Sequence, residues 1–199
     1  MIGSEIEKLI NEISKLPGLG RRSAQRIALY LLKNKEYSLL PLVSSLKQAE
    51  QKIINCEVCS NIDIVNPCSL CSNSKRDNKT ICVVEDVSDL WTFERIGFYK
   101  GMYHVLGGSL SAINGIGSND ISIAKLVERV KKKNVEELIL ALSTTIEGQT
   151  TSHVISDKLQ NINNLKVTKL AQGVPIGGEV HYLDENTLSA AFQSREKIN

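Results

Sequence analysis

The chain has 199 residues, of which 42% are hydrophobic and 23% are charged, and its formal net charge is +2. This balance excludes a disordered chain and is typical of a globular protein with one large domain or two small ones. No apolar run approaches the ~18 residues that cross a bilayer, and the charged N-terminus is unlike a signal peptide, so we expect a cytoplasmic protein without a membrane segment.

Two helices are predicted at the start of the chain, one on each side of a hairpin. Residues 4–15 carry apolar side chains at helical spacing, with charged residues on the outer face. Ser4, followed three residues later by Glu7, predicts a capping box at the start of this helix. A second helix is expected from residue 22 to residue 33, and Pro-Gly-Leu-Gly at residues 17–20 separates the two.

The hairpin has the features of a phosphate-binding turn. Gly18 and Gly20 allow the backbone to turn sharply and to approach a phosphate, with N–H groups at the start of the second helix. Arg22 and Arg26 share one face of that helix, with Arg21 beside them. The segment resembles helix-hairpin-helix motifs, which contact the DNA backbone; a packing unit with solvated arginines is the alternative.

A third helix is expected over residues 37–55, where we predict a packing role and no chemistry. Residues 1–55 hold nine Lys or Arg against five Asp or Glu, whereas residues 56–199 hold fifteen against seventeen. A basic N-terminal part on a nearly neutral body indicates an anionic partner. We therefore interpret residues 1–55 as a helix-hairpin-helix DNA-binding region.

Two Cys-x2-Cys pairs follow, Cys56 with Cys59 and Cys68 with Cys71. Four thiolates in this arrangement can bind one tetrahedral ion at zinc–sulfur distances of ~2.3 Å. Two disulfides or four unrelated thiols are the alternatives, but disulfides are typical of secreted proteins. Because the set has no histidine and no open ligand position, we predict a structural zinc ion in residues 56–72 on which the local fold depends.

From residue 80 onwards, short apolar strands alternate with helices. Strands are predicted at 81–85, 103–106, 138–142 and 166–170, and helices at 87–96, 121–133 with Asp120 as cap, 150–160 and 187–193. This alternation predicts a parallel sheet with right-handed crossovers over residues 80–172, followed by a C-terminal extension at 173–199. The chain is thus predicted to be a multidomain α/β protein. Cys82 lies within the first strand and is expected to be a packed thiol.

Two glutamates are expected beyond the carboxyl ends of these strands, where ligands of parallel sheets gather. Glu85 ends the first strand and Glu147 follows the third. This pairing resembles the Toprim domain of topoisomerases, primases and some nucleases, whose active members hold Mg²⁺ with a run similar to Asp-x-Asp-x-Glu-Gly-Glu. In this chain Ser143, Thr145 and Gln149 stand at three of those acidic positions.

A magnesium site for phosphoryl transfer needs several oxygen anions. We therefore expect a Toprim fold that has lost its catalytic charge, in which Glu85, Asp89 and Glu147 bind a partner or a weakly held Mg²⁺. Two simpler roles stay open: Glu85 as a solvated strand end, and Glu147 as an acid at a helix N-terminus. A Mg²⁺-dependent Toprim nuclease is the alternative function.

The order of these parts resembles the RecR family of bacterial recombination-repair proteins over essentially the whole chain. The stretches that carry the resemblance are the hairpin, the four cysteines, Cys82-Val-Val-Glu-Asp, Tyr103-His-Val-Leu-Gly-Gly and Gly173-Val-Pro-Ile-Gly-Gly. The resemblance implies a non-enzymatic recombination mediator that works with RecO, and in many bacteria with RecF, to promote RecA loading on gapped or single-stranded DNA.

The resemblance also implies residue roles and an assembly. Arg22 and Arg26 match the DNA-contacting positions of the family, and the surface around Glu85 and Glu147 matches its RecO-binding side. The expected assembly is a ring-like oligomer, commonly a tetramer. Where the family often has Asn-Pro-Thr-Val-Glu-Gly-Glu, residues 143–149 of this chain read Ser-Thr-Thr-Ile-Glu-Gly-Gln. The last acid of the family's run is therefore replaced by Gln149.

Overall fold

The computed structural model describes residues 3–132, 134–195 and 197. The chain divides into two compact units, Met1–Ile53 and Ile54–Asn199. Within the described ranges, no helix combines the length and the apolar character that a membrane span requires.

The N-terminal unit is helical, and its two first helices pack closely. Its helices are α1 (Ser4–Ser14), α2 (Arg21–Lys33) and α3 (Leu40–Lys52), the last preceded by a π-helical turn at Lys35–Leu39. Ile10 is buried between Ala24 and Ala28, whose small side chains let the helices approach. The predicted capping box is wrong: Gly3 is the N-cap, and the Ser4 hydroxyl donates to Glu5.

Helix α3 corrects the prediction of a packing helix at residues 37–55. None of its residues is buried, and Leu40 and Leu46 are 59% and 60% exposed. It ends at Lys52, because Ile54–Asn55 instead forms a short strand. Its apolar side chains therefore lie at the surface of the chain.

The second unit contains a four-stranded parallel sheet, which confirms the predicted α/β class. Its elements are β1 (Ile54–Asn55), β2 (Ile62–Asp63), α4 (Ser69–Ser72), β3 (Asp77–Val84), α5 (Val87–Ile96), β4 (Gly101–Val105), α6 (Ile123–Lys132), β5 (Glu137–Ala141), α7 (Ile146–Leu159), β6 (Lys166–Lys169) and α8 (Glu185–Gln193). The strand order is β4-β3-β5-β6, and all pairs are parallel. After β3 the chain adds β4 on one side of that strand and then β5 on the other side. At such a reversal a crevice is expected between the carboxyl ends of the two central strands, β3 and β5.

Alternating residues of β3 fill two cores on opposite faces of the sheet. Ile81 and Val83 pack with apolar residues of α6 and α7, whereas Cys82 and Val84 pack with Leu90 of α5. This alternation follows from the two-residue period of a strand. The core position of Cys82 agrees with its prediction as a packed thiol, and burial raises the pKa of this thiol to about 12.

Three helix starts differ from the predictions because of their caps. Helix α7 begins at Ile146 rather than at residue 150, since Thr145 accepts the N–H of Gly148. Helix α8 begins two residues early, because Asp184 caps it. The carboxylate of Asp120 accepts from Gly117 and does not cap α6, and the predicted end of α6 at residue 133 lies outside the described residues.

Candidate functional site

The hairpin between α1 and α2 leaves the start of α2 open. Gly18 has a φ of +75°, in the left-handed region that favours glycine. Gly20 is the N-cap of α2, and no side chain caps this end. A Cβ atom at Gly18 or Gly20 would meet no other described atom within 4 Å. The hairpin is therefore accessible, and among the described residues the N–H groups that begin α2 have no capping side chain.

The three arginines beside the hairpin differ in their surroundings. Arg21 forms an ion pair with Glu7 at 2.7 Å and donates to Asn11 at 2.9 Å, so it ties α2 to α1. Arg22 and Arg26 are exposed, and neither forms an ion pair within the described part of the chain. Two of the three cations are thus available to an external anion, a distinction that the sequence spacing alone does not reveal.

Two residues that the sequence reasoning missed continue this surface along α2. An open groove of about 710 Å³ is lined by Arg26, Tyr30 and Lys33, among others. Their spacing of four and then three residues places them on one helix face, which was the available signal. The face therefore carries an exposed aromatic ring between two basic side chains.

The four predicted metal ligands lie together. The Sγ atoms of Cys56, Cys59, Cys68 and Cys71 are all within 4.8 Å of one another, and no disulfide joins them. The first three side chains are buried and the fourth is half-buried. Sulfur atoms at the corners of a tetrahedron around zinc are ~3.8 Å apart, given a zinc–sulfur distance of ~2.3 Å. The donor set and its geometry therefore fit one tetrahedral metal ion.

Backbone groups favour the ionised form of one of the four thiols, that of Cys56. Burial raises the pKa of Cys56, but N–H donors, chiefly that of Cys68 at 3.3 Å from the sulfur, outweigh it and bring the pKa to about 7. Burial raises the pKa of Cys68 to about 11. Because a buried thiolate is costly without a counter-charge, a bound divalent ion would favour ionisation of the whole set.

The cysteine loop also covers one edge of the sheet. Strand β4 is an edge strand, and its outward N–H at Val105 donates to the carbonyl oxygen of Cys59 at 2.8 Å. The carbonyl oxygens of Val105 and Tyr103 accept from Ser122 and Arg129 respectively. An uncovered edge would present unpaired backbone groups to other chains. The loop therefore helps to complete the sheet that it borders.

The crevice between the ends of β3 and β5 contains two of the three predicted acids. Glu85 and Asp89 line a pocket of about 320 Å³ there, whereas Glu147 is not part of its lining. Glu85 accepts the N–H of Ser143 at 2.6 Å, and Asp89 accepts the N–H of Asp86 in the capping box of α5. Within the described ranges, the cysteines form the one group of three or more His, Cys, Asp or Glu ligand atoms close enough to share an ion.

The neutral residues at the three expected acidic positions form hydrogen bonds within their own turn. The hydroxyl groups of Ser143 and Thr145 are 2.8 Å apart, and Gln149 donates to the carbonyl of Thr144. Gly148 is required here, because a Cβ atom would lie 2.2 Å from the carbonyl oxygen of Ser143. The turn is therefore held by short polar contacts that need no ion.

Comparison with known proteins found three family models that match successive parts of the chain. A family model described as RecR, helix-hairpin-helix matches residues 6–50, a Toprim domain model matches residues 79–171, and a RecR, C-terminal model matches residues 173–196. The recombination protein RecR of Bartonella henselae is 50% identical over 196 residues, 98% of this chain and 97% of that protein. The recombination protein RecR of Bartonella bacilliformis is 52% identical over 97% of this chain and 96% of that protein. That of Xanthobacter autotrophicus is 50% identical over 98% of this chain and 97% of that protein. This chain belongs to the RecR family of recombination proteins.

Proposed function

We propose that the protein is a non-catalytic, DNA-binding recombination mediator. In this proposal it acts in the cytoplasm with RecO, and in many bacteria with RecF, to promote RecA loading on gapped or single-stranded DNA. The single observation that carries DNA binding is the pair Arg22 and Arg26, exposed and without ion pairs among the described residues, beside an uncapped helix start. Membership of a family named for recombination supports the wider role.

The hairpin suits the DNA backbone rather than the bases. N–H groups at the start of α2 and the two guanidinium groups can bind phosphate oxygens, which are the same in every sequence. Binding of this kind releases counterions and weakens as salt is added. A ring-like oligomer, commonly a tetramer in this family, would place several such hairpins on one DNA molecule and is part of the proposal.

We further propose that the four cysteines hold one structural zinc ion. Four thiolates without an open position suit zinc, which would supply a cross-link between the two Cys-x2-Cys turns. Cys56, Cys59, Cys68 and Cys71 would be its ligands, and the edge of β4 that the loop covers would depend on it.

The acidic crevice is proposed to bind a partner protein rather than catalytic Mg²⁺. Glu85 and Asp89 already accept backbone N–H groups, and the three neutral replacements leave too few anions for a phosphoryl-transfer site. These two acids, with Glu147 on the first turn of α7, would form part of the RecO-contacting surface. A Mg²⁺-dependent nuclease is the competing function.

A gel experiment with two charge-reversed proteins tests the DNA proposal. Arg22→Glu combined with Arg26→Glu should lose most binding to end-labelled gapped DNA, and the slope of log affinity against log salt should fall by about two. A matched control, Lys131→Glu with Lys158→Glu, changes the net charge equally on exposed lysines of the other unit. Equal affinity of both double variants would refute the role of the hairpin arginines.

The same reaction, run with Mg²⁺ on a denaturing gel, tests the absence of catalysis. Intact strands are expected at every protein concentration that shifts the DNA. Cleavage that disappears in Glu85→Ala would overturn the non-catalytic proposal in favour of the nuclease.

A further inference from the structure

Helix α6 places one cation, Lys125, against the cysteine loop and a second, Arg129, against the neighbouring strand β4. Arg129 is 7% exposed; its guanidinium donates to the carbonyl of Tyr103, and its buried Nε atom has no hydrogen-bond partner among the described residues. Lys125, one turn earlier and half-buried, donates to the carbonyl of Cys56 at 3.2 Å and to the hydroxyl of Ser60 at 3.1 Å. In the portion of the chain that the structure describes, neither cation has a carboxylate within salt-bridge distance.

A buried guanidinium without a counter-ion is strongly disfavoured in folded proteins. The neighbouring titratable group supplies no negative charge. His104 is fully buried, and burial above all, with smaller effects from Arg129 and Lys125, lowers its pKa to about 3, so it is neutral. Neither His104 nor a carboxylate of the described residues therefore balances these two cations.

The geometry of the sheet edge indicates where a balancing anion would lie. Arg129 binds the carbonyl of Tyr103, and Cys59 binds the N–H of Val105, two residues along the same strand. Successive outward-facing residues of a strand are ~6.6 Å apart, from a rise of ~3.3 Å per residue. The guanidinium and the cysteine loop therefore occupy neighbouring positions on one edge, while Lys125 touches the loop directly.

We propose that Lys125 and Arg129 are the charge partners of the metal-loaded cysteine site. A divalent ion with four thiolates has a net charge of −2, which two cations balance. The pair would strengthen metal binding by stabilising the thiolates from outside the ligand set. This proposal rests on the metal site proposed above, and it assigns to α6 a role in metal affinity that is separate from its packing on the sheet.

Metal competition on the full-length protein tests the proposal. Lys125→Met and Arg129→Met should each weaken Zn²⁺ binding against a chelator by about 10- to 100-fold. Lys131→Met, a neutralised exposed lysine of the same helix, should leave the affinity unchanged. Arg129→Lys keeps the charge and should retain most of the affinity.

The Co²⁺-loaded proteins give a second readout that packing alone would not move. Removing a nearby positive charge raises the energy of the thiolate electrons, so the thiolate-to-cobalt charge-transfer band should move to lower energy in both methionine variants. Equal losses of affinity in Arg129→Lys and Arg129→Met, with an unmoved band, would overturn the proposal for Arg129 in favour of a packing role.

If Arg129→Met does not fold, Lys125→Met decides, since the side chain of Lys125 is half-buried. A wild-type protein that binds no metal would refute the metal site itself, whereas metal binding with no effect of either methionine variant would refute the charge partners alone.

Discussion

The cysteine loop and the acidic crevice are two places in one unit where the chain gathers candidate metal ligands, and only the loop has the arrangement of a metal site. Four sulfurs lie within 4.8 Å of one another in the loop. In the crevice, Glu85 and Asp89 instead accept backbone N–H groups, and Glu147 lies outside the pocket. The loop therefore differs from the crevice in that its ligand atoms lie close together. The presence of acids in a Toprim fold does not by itself make a metal site.

The two regions also differ in how their polar groups are satisfied. In the crevice, Ser143 and Thr145 bond to each other and Glu85 bonds to the backbone, so these three side chains already have hydrogen-bond partners. In the loop, burial keeps Cys68 far from ionisation unless a cation is present, and two cations of α6 have no carboxylate among the described residues. The loop therefore has buried thiols and nearby cations that a metal ion would bring into charge balance, whereas the named side chains of the crevice are satisfied by hydrogen bonds.

The largest expected effect is that of Cys59→Ala. Loss of one ligand should release the metal, loosen the loop and uncover the edge of β4, because structural zinc contributes several kcal/mol to folding in small metal sites. Metal content and thermal unfolding would be measured together, and cooperative unfolding of the second unit should be lost. Cys82→Ala removes a buried thiol that is not a ligand and should keep the metal while costing about 1 kcal/mol. A zinc-free Cys59→Ala protein that melts at the wild-type temperature would contradict the structural role.

A smaller effect is expected when acids are returned to the crevice. Ser143→Asp with Gln149→Glu adds carboxylates at two positions that are acidic in active Toprim domains, the first of them beside Glu85. Mg²⁺ at millimolar concentration should then raise the melting temperature by a few degrees, through preferential binding to the folded state. The wild-type protein should show no such response. Gln160→Glu with Asn161→Asp adds the same charge at the other end of α7 and serves as the control. Equal responses of the two variants would mean that added charge, not a restored site, attracts the ion.

Much of this comparison could be predicted from the sequence, since its main signals are local. The spacing of the four cysteines predicts their convergence, and the alternation of apolar strands and helices predicts the parallel sheet. Ser143, Thr145 and Gln149 are neutral whatever the fold. Such inferences need only the chemistry of neighbouring residues and the period of a strand or helix.

The rest depends on contacts between distant segments. Arg21 looks equivalent to Arg22 in the sequence, but only Arg21 reaches Glu7 on the preceding helix. The position of Arg129 beside the edge of β4 requires the sheet order, which periodicity does not determine. The leucines of α3 have the spacing of a packed helix, yet nothing in the unit covers them in its described part. Periodicity shows which side chains share a face but not what that face meets.

The smallest expected effect is that of Glu85→Gln on stability. The amide oxygen of glutamine can still accept the N–H of Ser143, so the free energy of unfolding should change by no more than ~0.5 kcal/mol. Glu85→Ala leaves that N–H without its acceptor and should lower the free energy of unfolding by about 1 kcal/mol. Denaturant unfolding of the two variants, with and without Mg²⁺, would measure this. Binding of the two variants to RecO would show whether the charge of Glu85 or its shape matters. If RecO contacts the charged carboxylate, Glu85→Gln should weaken the binding as much as Glu85→Ala does. A Mg²⁺ response present in the wild type and absent from Glu85→Gln would show instead that the crevice uses its charge for an ion, and the contrast with the cysteine loop would then fail.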